Sequence, residues 1–174
     1  MALDLQSDDF DLFGLPRRFA QDRAAIDARW KELQREAHPD RFAAQGGAAQ
    51  RIAMQWSVRI NEAYQRLKDP LKRAAYLCEL RGAAIDAEKN TSMPAVFLVE
   101  QLKWREELEE AETQEALDAL CGHIEHTRRQ ALQRIEHLLD DERDAPAAAQ
   151  QVRALMFVER FAQDVDRRYE QLGQ

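Results

Sequence analysis

Apolar residues recur along this chain mostly at helical spacing. Residues 10–15 (FDLFGL) form a short apolar cluster closed by Pro16, and from Asp22 a helical pattern runs to Ala37. At 100° per residue, Ile26, Trp30, Leu33 and Ala37 fall on one stripe, Lys31 and Arg35 point away, and Arg29 sits on the shoulder. His38-Pro39-Asp40 ends this element, because proline disfavours a helical residue before it and supplies no N–H. Gly46-Gly47 mark a loop, and the next helix places Ile52, Ala53, Trp56, Ile60, Ala63, Tyr64 and Leu67 on its buried face. Asp69-Pro70 breaks it before the run LKRAAYLCEL.

Residues 81–93 (RGAAIDAEKNTSM) mix glycine, small and polar residues and read as a linker. Three further helices are predicted at roughly 94–111, 113–140 and 146–172. The middle one carries Leu117, Leu120, Ile124, Ala131, Leu132, Ile135, Leu138 and Leu139 as its core stripe, and the last buries Leu155, Val158, Phe161, Ala162, Val165, Tyr169 and Leu172. Their short connections predict antiparallel neighbours, hence a three-helix bundle. The expected fold is all-α. The expected division is residues 1–80, a linker at 81–93, and a bundle over 94–174.

Composition agrees with helix throughout: hydrophobic residues make up 45% and charged residues 33% of the 174 residues, with only six glycines and five prolines. No apolar run approaches the roughly 18 residues of a membrane span. The start, MALDLQSDDFDLFGL, lacks the basic opening of a secretory signal, so a cytoplasmic protein is expected. Net charge is −7, unevenly spread: residues 1–80 hold 13 Lys/Arg against 12 Asp/Glu, whereas residues 81–174 hold 12 against 20. An acidic chain argues against a dedicated nucleic-acid binder.

The candidate chemistry is sparse. Cys78 and Cys121 make neither a disulfide framework nor a four-ligand metal site, and both read as buried small hydrophobes. His123 and His126 share a helical face, but no HExxH pattern or nearby Cys/Asp cluster supplies a third zinc ligand, so they read as surface histidines. His137 has no suggestive company. With no Gly-rich phosphate loop, no ATP site is expected, and Ser7, Ser57 and Ser92 lack the context of an activated nucleophile. Neither an enzyme nor a cofactor or metal is expected.

An antiparallel helix pair joined by a loop beginning HPD resembles a J-domain, and here the resemblance covers most of residues 8–80. WKELQREAHPDRF resembles the first helix running into the loop, and INEAYQRLKDPLKRAAYL (residues 60–77) the second helix and its continuation. The resemblance implies docking on a DnaK-type chaperone and stimulation of its ATPase. His38, Pro39 and Asp40 would be the trigger, with Arg29, Lys31, Arg35 and Arg41 as docking charges. J-domains often carry an aromatic residue immediately before the histidine, where Ala37 stands here.

The whole chain is similar to the HscB family of J-proteins, which serves iron–sulfur cluster assembly. FDLFGLP, RAAYLCELRG and FLVEQLKWREELEEAE (residues 97–112) carry that similarity. On this last segment, the wheel sends Phe97, Trp104, Leu108 and Ala111 to the bundle. Leu98, Val99 and Leu102 go to the other side, beside Glu106, Glu109 and Glu110. A second apolar patch with a polar rim suits a partner surface, and Phe157, off the core stripe of its own helix, extends it. The resemblance implies that Leu98, Val99, Leu102, Glu106, Glu110 and Phe157 hold the scaffold protein IscU for delivery to the chaperone HscA. A monomer is expected. A general folding co-chaperone and a helical metalloenzyme using His123 and His126 are the alternatives.

Overall fold

The computed structural model describes residues 4–173. Its described residues are helical and contain no strand. The helices are α1 (Asp9–Phe13), α2 (Arg23–Ala37), α3 (Gly47–Lys68), α4 (Pro70–Leu80), α5 (Ala95–Glu110), α6 (Gln114–Glu136) and α7 (Ala145–Leu172). They fall into two compact units divided between Leu77 and Cys78, inside α4.

In the first unit α2 and α3 run antiparallel. Asp27 meets Tyr64, Trp30 meets Asn61 and Gln34 meets Ser57 across the pair. Ile26, Leu33, Ala53, Ile60, Ala63 and Leu67 are buried between them and α1. Asp8 caps α1 by accepting the Asp11 amide, and Gly14 ends it with φ of 64°, a left-handed geometry that glycine adopts without a Cβ penalty. Asp9, the first residue of α1, is fully buried, and its carboxylate is held by Arg59 and Arg66 at 2.8 and 2.6 Å. Ile52 departs from the expected pattern: it is exposed although it lies on the core stripe, at the edge of a cavity that Ala37 and Phe42 also line.

In the second unit α6 and α7 pack as a close antiparallel pair, Asp118 beside Tyr169 and Arg128 beside Glu159. The third helix, α5, runs antiparallel to α6, with Glu100 bonded to Thr127 and Glu107 near His123. Phe97, Trp104 and Ala111 are buried, Trp104 stacking on Phe161. The expected helix over 113–140 stays α-helical to Glu136, then widens into a π turn at His137–Asp141. Such a turn holds one more residue than an α turn, and both Leu138 and Leu139 are buried in it. His137 does have company there: its ring lies 2.8 Å from Asp141 and 3.2 Å from Glu142. Leu172, expected in the core, is exposed in the last turn of α7.

The segment read as a linker belongs to the second unit and is anchored within it. Ile85 is buried, and the buried guanidinium of Arg153 on α7 donates to the carbonyls of Ala84, Ile85 and Ser92 at 2.9, 2.9 and 3.2 Å. Burial pushes the Cys78 thiol up to about 11, whereas Cys121 is only half-buried, its sulfur 3.6 Å from the Tyr169 hydroxyl.

Candidate functional site

His38 builds the first site by ending one element and starting another. Its extended backbone (φ −63°, ψ 129°) closes α2, as a residue before proline requires, and a 3₁₀ turn over Pro39–Gln45 begins at once. The His38 ring caps that turn: Nδ1 accepts the Asp40 amide at 3.2 Å, so the neutral ring carries its proton on Nε2. Asp40 points into solvent, 91% exposed at its side chain, and the His38 ring is also exposed. The loop thus presents an imidazole donor and a carboxylate acceptor on a short, pinned turn.

The basic residues do not all gather. Lys31 and Arg35, four apart, share an exposed face of α2, and Arg41 is drawn to its end by donating to the Arg35 carbonyl at 3.2 Å. Arg29 lies on another flank, half-buried and paired with Glu32 at 2.9 Å. Asp27 and Glu32, two carboxylates interleaved with these basic residues on α2, have partners. Tyr64 donates to Asp27 at 2.7 Å and Arg23 at 2.9 Å, which holds that carboxyl below the usual carboxylate range.

The second candidate lies on α5. Phe97 and Trp104 turn to the core, and Leu98, Val99 and Leu102 stand out at 49%, 69% and 67% exposure. Glu106, Glu109 and Glu110 continue the outer surface as exposed carboxylates. Phe157 on α7 is half-buried beneath Arg160 and lines a cavity of about 510 Å³ with Gln101 and Arg105 of α5. Sequence reasoning missed Val96, more exposed than any of the three; its i,i+3 relation to Val99 was the available signal. His123 and His126 are exposed, and among the described residues no three His, Cys, Asp or Glu side chains stand together as a metal site. No helix among the described residues is long and apolar enough to cross a membrane.

A helical hairpin whose loop opens His-Pro-Asp, joined to a separate helical unit, defines a J-domain co-chaperone. The comparisons narrow the class. Residues 93–166 match the family described as the HSCB C-terminal oligomerisation domain. Proteins named co-chaperone protein HscB homolog from Burkholderia multivorans and Burkholderia cenocepacia are 51% and 50% identical over 171 residues, 97% of this chain and of each relative. Chaperone HscB from Vibrio cholerae superposes with a TM-score of 0.80 at 35% identity, covering 95% of this chain and 99% of that one. The crystal structure of human co-chaperone protein HscB gives 0.87 at 25% identity, covering 95% and 84%. The chain belongs to the HscB family of co-chaperones.

Proposed function

We propose that this chain bridges two partners in the cytoplasm during iron–sulfur cluster maturation. Leu98, Val99, Leu102, Glu106, Glu110 and Phe157 hold the scaffold IscU. His38, Pro39 and Asp40, with Arg29, Lys31, Arg35 and Arg41 as docking charges, engage the DnaK-type chaperone HscA and stimulate its ATPase. The supporting observation is the apolar strip of α5, solvent-exposed and rimmed by carboxylates, in a chain that also carries an exposed HPD turn. Such a strip is more than the helix needs for folding and suits recognition of one folded partner. Solvated charges around the turn steer encounter more than they add affinity. The protein has no chemistry of its own in this role and acts as a monomer, although the matched C-terminal family is described by oligomerisation; light scattering on the eluting protein reads which holds.

The test is ATP turnover by the cognate chaperone, with and without scaffold, for the wild type, His38→Gln and the Leu98→Ala/Leu102→Ala pair. His38→Gln is expected to abolish stimulation. The leucine pair is expected to lose only the scaffold-dependent part. Stimulation indifferent to scaffold and to the leucines would remove the iron–sulfur role and leave the general co-chaperone.

A further inference from the structure

The proline of the turn removes one hydrogen-bond donor, and Arg41 puts another in its place. In an α-helix the amide of residue i bonds the carbonyl of residue i−4. The Arg35 carbonyl, in the last turn of α2, would therefore take the amide of residue 39, but Pro39 has none. The Arg41 guanidinium donates to that carbonyl instead, at 3.2 Å. It sets a cation at the C-terminal end of α2, where the helix dipole favours one.

Little else fixes the turn against α2. No residue of Pro39–Gln45 is buried, and 3₁₀ stretches of more than a few residues are uncommon because their hydrogen-bond geometry is poor. The bonds at His38 are local to the turn: its ring accepts the Asp40 amide at 3.2 Å and its carbonyl accepts the Arg41 amide at 3.0 Å. Among the described residues, the Arg41 guanidinium makes the one hydrogen bond that runs from the turn back into the body of α2.

The docking groups are divided across that tie. Lys31 and Arg35 stand on α2, whereas His38 and Asp40 stand on the turn and its cap. We propose that Arg41, besides carrying a docking charge, is a positioning residue for the trigger. It holds His38 and Asp40 in one orientation relative to the basic face of α2, so that a chaperone docked on α2 meets the trigger already in place. This rests on the chaperone-docking reading above.

Arg41→Ala cuts the tie at an exposed position and is expected to fold as the wild type does. Maximal ATPase stimulation is expected to fall about fivefold, the effect of losing one hydrogen bond of ordinary net strength, and by the same factor at low and high salt. A rise in the chaperone concentration for half-maximal stimulation belongs to the lost charge and shrinks as salt is added. With no chaperone present, hydrogen exchange of the backbone amides at positions 40 and 41 is expected to quicken about fivefold, because the loosened turn opens their bonds to His38. Arg41→Ala is run beside His38→Gln, whose loss of stimulation reports the docking reading independently.

If Arg41→Ala moves only the half-maximal concentration, and salt removes the difference, Arg41 is a docking charge alone and the proposal falls while the trigger stands. If neither quantity moves, the proposal falls likewise. If maximal stimulation drops but amide exchange in the turn stays at the wild-type rate, Arg41 acts by touching the chaperone rather than by holding the turn, and the proposal is again overturned. If His38→Gln stimulates normally, the docking reading fails and takes the role of Arg41 with it.

Discussion

Buried charge sets the most sensitive positions at the residue scale. Asp9 is fully buried and satisfied by Arg59, Arg66 and, through its amide, the Tyr76 hydroxyl. Removing the carboxylate takes away the anion that Arg59 and Arg66 share at a fully buried position, although Arg59 keeps the Leu5 and Ser7 carbonyls and Arg66 is partly exposed, and Arg66 has its charged form favoured chiefly by its hydrogen bonds to Asp9. Asp9→Ala is expected to destabilise the first unit by about 3 kcal/mol, read by urea unfolding. Cys78 gives a chemical counterpart. The thiolate is the nucleophile, and burial raises this thiol to about 11, so at pH 8 it stays protonated as well as shielded. Native protein treated with iodoacetamide at pH 8 should carry no label on Cys78, and urea-unfolded protein should carry it; native labelling would contradict the burial.

Most of the fold was legible at the element scale, and the exceptions have physical causes. The ends of α2 and α3 followed from Pro39, Asp69-Pro70 and the periodic stripes, each a local signal, whereas the apolar cluster before Pro16 hid a short helix that Gly14 ends. The two faces of α5 were legible because Phe97 and Trp104 lie on one stripe and Leu98 and Leu102 on another, and their opposite exposures agree. Ile52 misled because periodicity identifies a face but not whether a partner side chain reaches it. The π turn was hidden because Leu138 and Leu139 fit an α stripe almost as well. Arg153 was unreadable: an arginine in a polar-looking helix suggests solvent, and its acceptors are carbonyls about 60 to 70 residues away. Those bonds tie residues 84–92 to α7. Arg153→Met keeps the apolar stem and leaves three carbonyls without their donor, at about 1–3 kcal/mol for each buried acceptor left bare. Limited trypsin digestion is expected to cut near Arg81 or Lys89 much faster in that variant; unchanged cleavage would mean the segment is held by Ile85 alone.

For the whole molecule, the two candidate surfaces belong to separate compact units of one covalent chain. Their charge differs as well, near balance before residue 80 and strongly acidic after it. If each surface worked alone, the covalent connection would have no consequence. In the bridging mechanism it has one: holding the scaffold and the chaperone on the same chain makes their meeting intramolecular, at an effective concentration that separate chains at micromolar levels do not reach. A mixing experiment with intact chains isolates that term. His38→Gln keeps the α5 surface and lacks the trigger, and Leu98→Ala/Leu102→Ala keeps the trigger and lacks the scaffold surface. An equimolar mixture supplies both functions, but never on one molecule. Scaffold-dependent ATPase stimulation by the mixture is expected to stay at the level of the leucine variant alone. Recovery toward the wild-type level would show that the two surfaces act in trans, and the reason for their fusion would then lie elsewhere than in bridging.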